Sequence, residues 1–210
     1  MTMPQRHVAL RLLAALTLVL SGSSAAFAWS LTMSSASRRV YLHVGNGVEA
    51  GDSGTINVVS VTVPSNQLGN GTPLAMTSNS TQSRSLQGDN YLTCPTPASQ
   101  LLIGASYQRN NAGGGSAPMS ATLSVSSPAT LINTSGDSIP ISEVSWTVSA
   151  PGSSVPNIIP AGTYNGGTQF LATIPANTYI ENCHSFSYAN SAVRAAGTYT
   201  ATITYTVTSP

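Results

Sequence analysis

Two serines sit in settings that suit nucleophilic chemistry. Ser53 lies within Gly51-Asp52-Ser53-Gly54, and Ser138 within Gly136-Asp137-Ser138-Ile139. A serine hydroxyl attacks only when a histidine takes its proton and a carboxylate orients that histidine. Between the apolar leader described below and Ser53 the chain holds one histidine, His43, so the first tetrad reads as a glycine-rich turn between strands. Ser138 reads as a turn residue ahead of a strand that begins at Ile139. Glu181-Asn182-Cys183-His184 sets a carboxylate three residues before a histidine, but such a pair serves a hydrolase built on helices, and helical periodicity is almost absent here. The six acids (Glu49, Asp52, Asp89, Asp137, Glu143, Glu181) are scattered, with no spacing that argues for paired general acid and base. No phosphate-binding loop, calcium loop or C-x-x-C occurs. We expect no catalytic site, no metal and no cofactor.

The two cysteines, Cys94 and Cys183, form an even pair, which in an oxidising compartment predicts one disulfide. Its closed loop of roughly 90 residues is worth about 4–5 kcal/mol by the chain-entropy argument. His184 adjoins Cys183, but Cys94 has no cysteine neighbour at metal-ligand spacing, which argues against zinc. Trp29, Tyr91, Tyr107, Tyr164, Tyr179 and Tyr188 could line a sugar platform, although core and sheet-surface positions account for most aromatics in such a chain. Asn70, Asn79 and Asn133 head formal glycosylation sequons that an Asn/Thr-rich sequence produces by chance.

These residues need a scaffold, and its first segment is a leader. Arg6, His7 and Arg11 precede the apolar run Leu12–Leu20, and Ala26-Phe27-Ala28 closes a small-residue stretch. This is the layout of a secretory signal peptide, with an apolar run too short to span a bilayer. Residues 1–28 are expected to be removed, leaving a chain that starts at Trp29 with no membrane span. Every basic residue is arginine; with Arg6 and Arg11 gone, five arginines face six acids, for a net charge of 5 − 6 = −1. A nearly uncharged surface rich in Ser, Thr, Asn and Gly argues against nucleic acid as a partner. It suits exported proteins that pack side by side.

Strand patterns dominate the rest. From Thr198 to Thr208 threonines alternate with Tyr199, Ala201, Ile203, Tyr205 and Val207, the period of a half-buried strand. Val40, Leu42 and Val44 alternate in the same way, and Thr55–Val63 changes phase midway, as a β-bulge would. Further strands are expected over 101–107, 119–126, 139–149, 169–174 and 184–188, with Trp146 at the centre of the core. Gly- and Asn-rich turns separate them at Asn70-Gly71, 113–115, 151–152 and 165–167. The expected fold is all-β: an immunoglobulin-like or pilin-like antiparallel β-sandwich of about seven or eight strands. The domain covers 39–210 and is preceded by an extension, 29–38.

Within that extension Trp29, Leu31 and Met33 alternate with Ser30, Thr32 and Ser34, ahead of Ser35-Ala36-Ser37-Arg38-Arg39. It reads either as a first strand of its own sheet or as a tail that pairs with another subunit. The leader, this tail and the terminal Tyr-Thr-Ala-Thr-Ile-Thr-Tyr-Thr-Val strand together resemble bacterial fimbrial subunits assembled by the chaperone–usher route. The resemblance implies a sandwich lacking one strand. A periplasmic chaperone covers the open groove first, and an outer-membrane usher then passes it to the extension of the next subunit. By position, Trp29, Leu31 and Met33 (or else Val40, Leu42 and Val44) would insert, and Tyr199, Ala201, Ile203, Tyr205 and Val207 would border the groove. The implied function is an exported structural subunit of a fimbria at the cell surface, a non-enzyme assembling by β-augmentation with other fimbrial subunits. The alternative is a secreted β-sandwich binding module for carbohydrate or another surface ligand.

Overall fold

The computed structural model describes residues 38–48, 56–85, 92–109, 120–150 and 158–210. The leader, the tail with Trp29, Leu31 and Met33, the Ser53 tetrad, Tyr91 and the turns at 113–115 and 151–152 lie outside the described residues.

The strands are β1 (Arg38–Val44), β2 (Gly47–Val48), β3 (Val59–Ser60), β4 (Leu74–Ala75), β5 (Thr77–Ser78), β6 (Leu101–Arg109), β7 (Ser120–Ser126), β8 (Thr130–Ile132), β9 (Ser138–Pro140), β10 (Val144–Ser149), β11 (Gly162–Thr163), β12 (Thr168–Pro175), β13 (Thr178–Tyr188) and β14 (Thr204–Thr208). Sheet 1 runs β11-β10-β13-β6-β1-β2, with β4 beside the end of β13; sheet 2 runs β12-β7-β14. Two small ladders, β3–β5 and β8–β9, stand apart. Every ladder is antiparallel. The fold is an all-β, antiparallel sandwich.

Alternation decides which side chains meet between the sheets. Ala121, Leu123 and Val125 of β7 are buried while Ser120, Thr122, Ser124 and Ser126 face outward. Across from them stand Leu101, Ile103, Ala105 and Tyr107 of β6, with Ile180 and Phe186 of β13. Trp146, 3% exposed, holds the central position expected of it. Its indole N–H donates to Pro160 O at 2.9 Å, and its ring lies 4.7 Å from that of Tyr164. Gly162 is required beside it, because a Cβ there would stand 2.6 Å from Trp146 Cζ2. Cys94 and Cys183 are bonded, with Cα atoms 5.5 Å apart. With Leu102 they form a second apolar cluster, distinct from the main core.

Three strand expectations are corrected. The 139–149 segment is not one strand: Pro140 ends β9, a 3-10 turn covers Ile141–Glu143, and β10 starts at Val144, since proline cannot donate to a ladder. Of the described part of 55–63, only Val59 and Ser60 pair, and Ile56 and Val58 are exposed. No bulge lies there among the described residues; one lies in β12, where the register shifts between Phe170 and Ala172 and turns both Leu171 and Ala172 inward. The terminal segment alternates half-buried and exposed from Tyr199 onward, yet pairs with β7 only over β14. Before that, Thr200 exchanges backbone hydrogen bonds with Ile132 at 3.0 and 3.1 Å, so the chain passes from β8 to β7.

Candidate functional site

β14 follows from its composition: threonine and β-branched or aromatic residues in strict alternation, with no proline or charge to interrupt them. It bonds β7 along one flank, and no ladder runs along its other flank among the described residues. Ala201, Ile203, Tyr205 and Val207 pack on the core while staying half-buried, and Tyr199 is half-buried too, with its hydroxyl donating to Ala195 O at 2.8 Å. Of the expected groove-edge row, Tyr205 and Val207 lie on β14, whereas Tyr199, Ala201 and Ile203 precede it, where Thr200 bridges to Ile132 of β8. β1 touches β14 at the side of the sandwich. Val40, Leu42 and Val44 of β1 are likewise half-buried on the core, and β1 pairs with β6 in its own sheet from Arg38 to Val44. Those three residues are thus built into their own domain, which removes them as an inserting set.

Beneath β14 sits an aromatic group that the sequence did not announce. Tyr205 and Tyr164 join hydroxyls at 3.3 Å. Burial pushes the Tyr164 hydroxyl up to about 12, and burial with the neighbouring Tyr164 pushes Tyr205 well above the ordinary tyrosine range. The His184 ring stands edge-on to Tyr205 with centroids 6.4 Å apart, and 6.4 Å from Trp146 in a near-parallel plane. His184 is fully buried, neither ring nitrogen has a hydrogen-bond partner among the described residues, and burial drives its pKa down to about 3. Its neighbour Cys183 is held in the disulfide. Cys183 therefore supplies no thiolate for a metal.

Two further polar clusters were not foreseen. His43, Gly104 and Glu181 share one cross-strand row over β1, β6 and β13. Glu181 is buried and accepts from Thr93 Oγ1 at 2.8 Å and from the Tyr179 hydroxyl, which occupies the space that a Cβ on Gly104 would need. His43 Nδ1 bonds Gly47 O at 2.9 Å; burial lowers its pKa, opposed by that bond and by Glu181. The second cluster clamps the loop leading to β14. Glu143 receives the Ser191 N–H at 3.1 Å, the Ser191 hydroxyl and Arg194 Nη2 at 3.3 Å. Burial pushes its carboxyl up, but the two Ser191 bonds and Arg194 outweigh burial and hold it below the usual range. The signal that could have found this clamp is weak: Glu143 and Arg194 are charged residues in a chain with few charges.

Ser138 opens β9 and is exposed, while Asp137 is tied to Asn133 Nδ2 at 2.9 Å. Tyr107, Tyr164 and Tyr188 are buried, so they cannot form a sugar platform. No helix among the described residues is long and apolar enough to cross a membrane. No protein-family model, curated protein or solved structure matches this chain.

Proposed function

We propose that this protein is an exported structural subunit of a surface fibre, in which the tail of a neighbouring copy pairs with β14. One observation carries the reading: among the described residues β14 is bonded on a single flank while its inward row remains half-buried. A strand added there extends sheet 2 to four strands. It gives backbone hydrogen bonds to the open flank, and its alternate side chains complete the cover of that row. Trp29, Leu31 and Met33 have the matching period, and burying Leu31 and Met33 alone contributes about 2 kcal/mol each. A strand held between two others needs about 9.6 Å between its flanking neighbours. Since β1 touches β14, insertion must part them. A periplasmic chaperone and an outer-membrane usher are the partners this route would use, with the cell surface as destination.

The test is a deletion of residues 29–37 in the mature chain. The full-length chain is expected to form concentration-dependent polymers by light scattering, whereas the shortened chain stays folded and monomeric. A shortened chain that unfolds, beside a full-length chain that remains monomeric, would instead make the tail an ordinary strand of its own sheet.

A further inference from the structure

We propose that His184 makes β14 an acid-opened edge: its imidazole takes a proton only when Tyr205 and β14 lift from the core. The biological sense of this gate rests on β14 being the assembling edge; its physics does not. His184 points inward from β13 in a row with Val148 and Leu101, with 0% of its surface exposed. Trp146 of β10, Phe186 of β13 and Tyr205 of β14 surround it at ring distances of 6.4, 6.3 and 6.4 Å. The titratable groups on this side are Tyr205 and, bonded to it from the link between β11 and β12, Tyr164. Burial holds both neutral well beyond neutral pH. The inward residues of β6 and β12 beside them, Leu101, Ile103, Leu171 and Ile174, are apolar. Burial is the one cause that moves the imidazole, so no carboxylate offsets a charge placed there.

Of the surrounding elements, β14 is the least costly to move. β10 is bonded by β11 and β13, and β13 by β6 and β10, whereas among the described residues β14 holds five residues on β7 alone. Local opening follows the element with the fewest bonds. Lifting β14 withdraws Tyr205 and admits water to the ring, which then titrates near its ordinary 6.5 instead of about 3. Linkage raises the opening equilibrium about a hundred-fold between pH 7.5 and pH 4.5. In a fibre the same opening would loosen the strand paired with β14.

Amide hydrogen exchange of the mature chain, corrected for intrinsic rates, reads this opening without any partner. Success or failure here is therefore separate from polymerisation. Opening measured at the β14 amides is expected to rise about a hundred-fold from pH 7.5 to 4.5, with β14 opening more readily than β6 at every pH, because β6 exchanges only on global unfolding. The rise should vanish in His184→Leu, and in His184→Gln should the leucine variant fold poorly. A rise that persists in both variants, β14 amides as protected as those of β6, or no rise at all would overturn the proposal.

Discussion

The two outer strands of sheet 2 share β7 as partner and differ in regularity and burial. β12 and β14 both pair with β7 on one flank; β14 alternates half-buried Tyr205 and Val207 with exposed threonines, whereas β12 buries Leu171, Ala172 and Ile174 and leaves Phe170 63% exposed. β12, however, carries a bulge between Phe170 and Ala172 and closes on Pro175. A bulge and a terminal proline are the devices that keep an edge from accepting another strand. β14 has neither, and its inward side chains are half-buried where Leu171, Ala172 and Ile174 of β12 are fully buried. A continuous backbone and unfinished burial are the two features that separate β14 from β12.

The largest effect should come from the strand that shares neither edge. β13 is anchored by the Cys94–Cys183 bond, which spans 89 residues. Replacing both cysteines by serine should lower stability by about 4 kcal/mol, measured by urea unfolding. Loss of less than about 1 kcal/mol would mean that the ladders of β13 with β6 and β10 hold it in place without the bond. Acid should come next. Because burial depresses His184 in the fold, the unfolded chain binds that proton more tightly. Stability present above pH 6.5 is then lost as the pH falls toward 3. Between pH 7.5 and 4.5 the loss should be about 3 kcal/mol. Glu143, held low in the fold, adds a loss of the same sign as the pH falls through the carboxylate range. A flat stability curve over that interval would contradict the burial of the imidazole.

Matched truncations sharpen the contrast between the two edges. Ile174→Ala on β12 removes a side chain that is 0% exposed and should cost about 3 kcal/mol. Val207→Ala on β14 trims a half-buried one and should cost about 1 kcal/mol in the lone subunit. If a neighbour's strand adds to β14 as proposed, the β14 variant should cost more in the assembled state than in the lone subunit. Equal costs in the lone subunit would erase the distinction.

Much of this contrast was legible in the residues. The alternation from Tyr199 to Val207 appears in the burial of the same residues, and Trp146 lies where its strand pattern put it. The cysteines paired because two thiols had one possible connectivity. What escaped was set by neighbours distant in sequence. Nothing local shows that β14 pairs for only five residues, since Thr200 looks identical to Thr204 and differs only in facing β8 instead of β7. The bulge was sought in the 55–63 segment, where the phase change is plain, while the adjacent Leu171 and Ala172 carried the same sign in β12. In the sequence His184 is notable only for adjoining Cys183, where the spacing argues against zinc. Its burial against Trp146 and Tyr205 depends on three strands meeting, which no spacing records.

The central claim is that β14, and not β12, receives the tail of another copy. The direct measurement is an NMR titration of the 15N-labelled chain lacking residues 29–37 with a synthetic peptide spanning them. Saturable amide shifts should concentrate on Thr204–Thr208 and on β1, which must part from β14, and should spare Thr168–Pro175 of β12. Shifts confined to β12, or none at peptide concentrations that exceed the protein many-fold, would contradict the account.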